Sequence, residues 1–393
     1  MKKILFMCIN MNVGGTEKSL LNMLNEMDRN KYEVILLMLE EYGELLKQIP
    51  ENVKIEYLHQ YTTFKRYVKE PPQKIAIELI LNKKIIKGIA ILGAYSISKI
   101  FNNMAYYYKY ILRNIKPLNE EYDIAVAYAG PMDLITYFVI NKIKAKKKIQ
   151  WIHLDVTKSN FNINFARKIY KKFNKIFVVS NECRDKLINL IPSLEDKTEV
   201  FFNIIPWKKI KKMGCDSIEY ESEVSSIKIV TVGRVSKEKG QDLMLPAIAK
   251  LKKAGYSVKW YCIGDGPLKK TCEQLARELN IENDCLFLGT RLNPYPYMKQ
   301  CDIYIQPSRY ECYCTTISEA KIFNKPIIST NVNGAKELIK DGETGIIVNI
   351  NENDIYLALE RLCKDKKLRI KLSENLKKYT SNNIHQISKL YEV

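Results

Sequence analysis

The 393-residue chain is poor in histidine, with three, and in tryptophan, also three, and its ten cysteines include no C-x-x-C pair. Thiols scattered in this way exclude a disulfide framework and the common zinc-finger spacings, and Cys312 and Cys314, one residue apart, are poorly spaced to share a metal. They read as reduced, mostly buried side chains. Long apolar runs are missing too. The best uncharged stretch, 88–98, is far shorter than the about 18 residues that span a bilayer. Met1-Lys2-Lys3 leads at once into Ile4-Leu5-Phe6-Met7-Cys8, too short for a secretory leader, so a cytoplasmic chain is expected. Acid is scarce relative to base. The 44 Asp and Glu against 63 Lys and Arg leave a formal charge of +19, which demands an anionic partner: nucleic acid, acidic lipid or a phosphorylated substrate. No nucleic-acid-binding motif accompanies the charge. What is plentiful is apolar material, 46% of residues, enough for two ordinary cores.

Short apolar runs alternate with helical patterns along most of the chain. Residues 3–9 form a buried strand, 10–16 a loop with Gly14-Gly15, and the helix that follows has Thr16 or Ser19 as its cap. The next strand, 32–39, is continuously apolar, as a parallel sheet covered on both faces requires, and together these make one right-handed βαβ unit. Gly14-Gly15 at the helix entry lets a phosphate or sugar approach the backbone, but it is not G-x-G-x-x-G, so a dinucleotide is not indicated. Alternation resumes with strands at 122–128, 148–153 and 175–180. His153 ends one of them, where α/β folds place ligands, and Ser180-Asn181-Glu182 is a helix cap. Residues 201–207 and the basic 208–212 read as the exit from a first domain, and the polar 214–226 as a linker. A second α/β series has strands at 227–233, 257–263, 285–288, 302–306, 326–329 and 344–348. Two successive doubly wound α/β domains, with ligand bound in the crevice between them, are expected.

One segment departs from this pattern. Residues 61–120 hold eleven Lys and Arg against three Asp and Glu, interleaved with Ile, Leu and a Tyr106-Tyr107-Tyr108 run. That is the pattern of amphipathic helices on an anionic membrane surface.

The most informative stretch runs from Arg309 to Ala320. Glu311 sits in a strand-to-helix turn and Glu319 lies one turn inside a helix starting near Thr315. Helical side chains lean toward the N-terminus, so Glu319 is expected to face the crevice that Glu311 enters. Between them the N–H groups of Cys314, Thr315 and Thr316 can receive an anion. An acid, an anion-binding helix start and a second acid suit a sugar nucleotide. Upstream, Gly233-Arg234-Val235-Ser236-Lys237-Glu238-Lys239-Gly240 follows a strand directly, and Arg234 and Lys239 can clasp a diphosphate, stabilising charge as it leaves the sugar.

Gly233-Arg234 with Lys239-Gly240, then Gly264-Asp265-Gly266-Pro267, then Glu311 and Glu319 in an E-x7-E arrangement resemble the retaining GT-B glycosyltransferases of family 4. The likeness covers the second domain and extends to the first through Gly14-Gly15-Thr16, His153 and Asn203. It implies an α/β GT-B fold, two Rossmann-like domains facing each other across a cleft. The first, 1–205, would bind acceptor and carry the basic insert 61–120, joined by a C-terminal helix at about 374–393 that crosses back to it. The second, 206–373, would bind the donor. The resemblance implies that Arg234 and Lys239 bind the donor diphosphate, with Gly264, Cys314 and Thr315 beside it, that Glu311 holds the transferred sugar and Glu319 the ribose. His153 and the Gly14-Gly15 loop would close on the reacting sugar and acceptor. No metal or cofactor is implied.

The family commonly has small glycines after its first Glu, where this chain has Cys312-Tyr313-Cys314, which tightens the approach to the donor sugar. The expected activity is hexosyl transfer from a nucleotide sugar, a UDP-sugar by family habit, to a lipid-linked or saccharide acceptor. Capsule or lipopolysaccharide assembly is the expected setting, at the inner face of the cytoplasmic membrane. A sugar-nucleotide epimerase or hydrolase of the same fold, or a non-catalytic binding subunit, are the alternatives.

Overall fold

A computed structural model of the chain describes residues 1–158, 161–218, 226–379 and 383–393. The chain divides into two compact units, Met1–Asn203 with His385–Val393, and Ile204–Ile384.

The first unit is built on seven parallel strands: β1 (Lys2–Cys8), β2 (Tyr32–Met38), β3 (Val53–Tyr57), β4 (Glu121–Gly130), β5 (Lys144–Ile152), β6 (Lys175–Val178) and β7 (Thr198–Val200). Their order across the sheet is β3-β2-β1-β4-β5-β6-β7. Ile4 to Cys8 of β1 are all buried, because helices cover both faces and leave no polar side to the strand. The register pairs Ile4 with Val34 on one side and with Ile124 on the other. The helix Gly15–Glu26 lays Leu20, Leu21, Met23 and Leu24 on the sheet. Its N-cap is Gly14, in extended conformation without a side-chain cap bond, so neither Thr16 nor Ser19 caps it. Ser19 is turned inward instead, where its hydroxyl donates to Asn203 Oδ1 at 2.7 Å. Ser180 does cap its helix, accepting from the Cys183 N–H.

Four helices carry the chain from the edge strand β3 back to the central β4: Tyr61–Lys69, Pro72–Leu81, Ile85–Ile100 and Ala105–Ile111. A parallel strand can be entered only by such a crossover. Not all of this segment is surface. Tyr107, the middle of the tyrosine run, is buried and donates its hydroxyl to the Tyr67 carbonyl.

The second unit has six parallel strands, β8 (Ile227–Val232), β9 (Val258–Ile263), β10 (Cys285–Gly289), β11 (Ile303–Gln306), β12 (Ile327–Thr330) and β13 (Ile346–Val348), ordered β10-β9-β8-β11-β12-β13. The helices Gln241–Lys253 and Glu352–Lys364 bury Met244, Leu245, Ile248, Ile355, Leu359 and Leu362 in one core with Trp260 of β9. The basic residues 208–212, read from sequence with 201–207 as the exit from the first domain, lie in the helix Trp207–Met213 of the second unit, to which the described residues of the polar stretch 214–226 also belong. Residues 219–225 of that stretch lie outside the described residues.

The C-terminal stretch 374–393 is not one helix. Lys366–Lys377 ends four residues into it, and a separate short helix, Ile387–Tyr391, packs within the first unit. There Tyr391 stacks on Tyr32 at 3.8 Å between ring centroids, and Lys389 donates to the Val200 carbonyl. Among the described residues no helix is long and apolar enough to cross a membrane.

Candidate active site

In each sheet the strand order reverses beside the first strand of its unit, between β1 and β4 and between β8 and β11. Loops leaving such a switch point diverge and open a crevice at the carboxyl ends of the strands. In the second unit the two loops there are 233–240, after β8, and 307–314, after β11.

Three features hold these loops together. Gly240 sits at φ +72°, and a Cβ on it would lie 2.0 Å from the Pro307 carbonyl oxygen, so only glycine allows the close approach. Arg309 forks onto Asp242, its two NH groups reaching Oδ1 at 2.6 Å and Oδ2 at 2.9 Å. Its backbone N–H donates to the Glu238 carbonyl at 2.7 Å. Bidentate pairing of this sort fixes geometry as well as adding energy.

The clamp brings Lys239 onto Glu311. Lys239 Nζ donates to Glu311 Oε1 at 2.6 Å, with 27% of the lysine side chain and 8% of the glutamate side chain exposed. Burial alone would lower the lysine pKa; the Glu311 charge and hydrogen bond outweigh it and hold Lys239 above its ordinary value. Below Glu311 lies a buried polar relay. Oε1 also accepts from Ser308 Oγ at 2.8 Å and from Gln306 Nε2 at 3.5 Å. Gln306 in turn accepts at its own Oε1 from Tyr304 and Thr316. Every one of these contacts falls on a single glutamate oxygen, which leaves Oε2 to meet a ligand.

Cys314 adjoins this pair. Burial, with Glu311 nearby, pushes its thiol up to about 12, so it stays protonated and is no nucleophile. Cys314 is also the N-cap of the helix Thr315–Ile322 and offers no side-chain cap, which leaves the first N–H groups of that helix, Thr315 among them, without an internal acceptor. Gly264, after β9, passes its backbone against Gly233, where a Cβ would lie 2.0 Å from the Gly233 carbonyl oxygen. Arg234 is exposed on the same loop as Lys239.

Glu319 lies in the second turn of the helix Thr315–Ile322. It is wholly buried, and Tyr295 donates its hydroxyl to Oε1 at 3.3 Å. Tyr295 belongs to the helix Tyr295–Gln300.

Two further candidates stand in the first unit. Gly14-Gly15 follows β1 at that unit's switch point. His153 follows β5, its N–H bonded to the Gly130 carbonyl and its ring against Tyr128 at 4.5 Å between centroids. Burial drives its pKa down to about 3, although a hydrogen bond to the Tyr128 backbone pulls the other way. It is a neutral imidazole at pH 7, and its Nε2 has no hydrogen-bond partner among the described residues.

The sequence did not single out Gln306, Ser308 or the Arg309–Asp242 fork. Polar residues ending the apolar run Ile303-Tyr304-Ile305 were the available signal, since a buried Gln must find partners. It also missed a cavity of about 540 Å³ at the carboxyl ends of β2 and β3, lined by Tyr42, Tyr57, Tyr61 and Lys65 among others. There Glu40 pairs with Lys65 and Lys69 at 3.0 and 2.8 Å.

Residues 217–379 match the model of the family described as glycosyl transferases group 1. Over 54% of its length the chain is 30% identical to the N-acetylgalactosamine-N,N'-diacetylbacillosaminyl-diphospho-undecaprenol 4-alpha-N-acetylgalactosaminyltransferase of Campylobacter jejuni. It is 26% identical, over 53%, to the capsular polysaccharide biosynthesis glycosyltransferase CapM of Staphylococcus aureus. The match spans 58% and 57% of those two relatives. Among solved structures, Anabaena HepE in complex with UDP and glucose is similar with a TM-score of 0.70 at 17% identity, covering 100% of this chain and 99% of that one. TarM is similar with a TM-score of 0.70 at 14% identity, covering 100% and 98%. Residues 217–379, less than half of the chain, are thus similar to the glycosyl transferases group 1, and the fold of the chain is that of the GT-B glycosyltransferases.

Proposed function

We propose that the protein transfers a glycosyl unit, with retention of anomeric configuration, from a UDP-sugar to a lipid-linked or saccharide acceptor in surface polysaccharide assembly. The observation that carries the reading is the Lys239–Glu311 pair at the switch point of the second unit. It sets a cation for a diphosphate directly beside a carboxylate for sugar hydroxyls, the two groups a nucleotide sugar presents side by side. The UDP complex of HepE and the polyprenyl-diphosphate-linked acceptor in the name of the Campylobacter relative support the choice of donor and acceptor.

In this reading Arg234 and Lys239 bind the diphosphate and take up its charge as the bond from the anomeric carbon to the phosphate oxygen breaks. No metal is required, because the two side chains supply the positive charge. Glu311, held by Ser308 and Gln306, accepts from the sugar hydroxyls through Oε2. The acceptor oxygen bonds to the anomeric carbon on the face the diphosphate leaves, and its proton passes to the departing phosphate oxygen. Gly264, Cys314 and Thr315 line the diphosphate, and Glu319 binds the ribose once Tyr295 yields its hydrogen bond. Gly14, Gly15 and His153 serve the reacting sugar and acceptor, His153 as a neutral hydrogen-bonding group. The reaction takes place at the inner face of the cytoplasmic membrane, where a lipid-linked acceptor is found.

Thermal-shift binding of UDP, GDP and ADP to the wild type and to Lys239→Ala tests the donor site. Stabilisation by UDP, lost in the variant, is expected. Equal stabilisation of both proteins, or none by any nucleoside diphosphate, overturns the reading. Release of UDP from a UDP-sugar at full rate without acceptor would point to hydrolysis instead.

A further inference from the structure

The helix Ile85–Ile100 is apolar on two opposite faces, and among the described residues only one of them is buried. Gly88, Ile91 and Ser98 face inward and are buried. On the other side Ile86, Ile89, Gly93, Ile97 and Ile100 follow one another at spacings that keep them on one stripe. At about 100° per residue they fall within an arc of ~80°. The four isoleucines are 84%, 60%, 43% and 76% exposed. The stripe continues around the turn into the preceding helix Pro72–Leu81, where every residue from 80 to 87 is exposed, Ile80, Leu81, Ile85 and Ile86 alternating with lysines. Single exposed isoleucines are ordinary; a contiguous ridge of them marks a binding surface.

The ridge is preformed. Gly88 lets the two helices touch, since a Cβ there would lie 2.7 Å from Ile80 Cγ1 and 2.9 Å from the Ala76 carbonyl oxygen.

Charge tells what the ridge meets. The cations nearest the body of the unit are already matched: Lys65 and Lys69 by Glu40, Arg66 by Glu70 and Glu78, and Lys74 by Glu70. The basic segment 61–120 is therefore not one uniform lipid-facing surface. From 79 to 119, however, the sequence has no Asp or Glu and seven Lys and Arg, and Lys83, Lys84, Lys87 and Lys99, all exposed, rim the ridge. An apolar stripe with a cationic rim complements an anionic bilayer. It does not complement a second copy of itself, which would bring two such rims together.

We infer that this helical hairpin lies in the plane of an anionic phospholipid bilayer, with Ile86, Ile89, Ile97 and Ile100 among the acyl chains and Lys83, Lys84, Lys87 and Lys99 at the phosphates. The inference deepens the proposed activity, on which its link to a lipid-carried acceptor rests. The Arg66–Glu78 pair ties the hairpin to the helix Tyr61–Lys69, which lines the cavity at the ends of β2 and β3.

The test is flotation of the full chain with vesicles of phosphatidylcholine containing phosphatidylglycerol, against phosphatidylcholine alone. Two variant sets are compared with wild type: Ile86→Ser with Ile89→Ser and Ile97→Ser, and Lys83→Glu with Lys84→Glu and Lys87→Glu. The wild type is expected to float with the anionic vesicles and to lose binding with added salt, and each variant set to lower its partition at least about tenfold. Unchanged stabilisation by UDP in both sets shows that the second unit remains folded, and unchanged circular dichroism does so for the first. Wild type that ignores anionic vesicles, or variants that bind them as well as wild type, would overturn the inference. So would a wild-type dimer, free of vesicles, that the serine variants convert to monomer. Vesicle binding requires no donor, so failure of the UDP experiment with vesicle binding intact would overturn only the proposed activity.

Discussion

Glu311 uses one carboxylate oxygen for all its supports, Lys239, Ser308 and Gln306, so its charge and its geometry can be separated by substitution. Glu311→Gln keeps the shape and removes the charge. The pair is partly open at the lysine, so its loss should cost about 2 kcal/mol of stability, below the ~3–5 of a fully buried pair. UDP affinity should hold or rise, because a carboxylate next to the diphosphate has gone, while turnover should fall about a hundredfold. Lys239→Ala should show the opposite split, with UDP binding weakened about tenfold or more by loss of a charge-assisted bond. Calorimetric titration with UDP alongside steady-state turnover separates the two; equal effects on affinity in both variants would contradict the assigned roles. His153 supplies a pH signature. Its folded pKa, about 3, lies below the ordinary value, so between pH 6.5 and 3 the unfolded chain takes up a proton that the folded one refuses. Stability contributed by the neutral ring is present above that window and is lost as pH falls through it, by up to about 1.4 kcal/mol per pH unit. Melts of wild type and His153→Gln should therefore converge on acidification, the wild type losing more.

At the scale of elements, the central strands were legible because burial on both faces leaves an unbroken apolar run, as in Ile4-Leu5-Phe6-Met7 and Ile303-Tyr304-Ile305. The edge strands of the second sheet, β10 and β13, were read as well, but those of the first sheet were not. β3 reads Val53-Lys54-Ile55-Glu56-Tyr57 with Ile55 38% exposed, and β7 has three residues; a strand with one neighbour needs neither length nor continuity. The acid pair and the cation loop could be read from spacing, but the relay through Gln306 and the bond from Tyr295 to Glu319 depend on residues brought together only by the fold. The loops that join these elements should be intolerant where glycine is demanded. Gly240→Ala meets both a positive φ and the Pro307 carbonyl, and should destabilise the second unit by about 3 kcal/mol and abolish UDP binding. Gly255→Ala, at φ +85° with open space around its Cβ, should cost only about 1 kcal/mol and leave binding intact. Denaturant melts with UDP titration distinguish strain from loss of the site.

At the scale of the whole molecule, both units repeat one plan, a parallel sheet whose order turns at its first strand, and the chain returns at its end to the unit in which it began. That return is held by specific contacts: Tyr391 on Tyr32, Lys389 on Val200 and Glu199, and Ile387 and Leu390 both buried. Burying two aliphatic side chains and most of a tyrosine is worth about 4 kcal/mol, applied entirely within the first unit. Removing residues 385–393 should lower the melting transition of that unit by an amount of this order. The core of the second unit and the Lys239–Glu311 pair lie within 204–384 and involve none of these residues, so stabilisation by UDP should be retained. Differential scanning calorimetry with and without UDP checks both halves of this expectation. A truncated chain in which UDP no longer binds would mean that the donor site depends on the returning segment, and that the second unit does not hold its site alone.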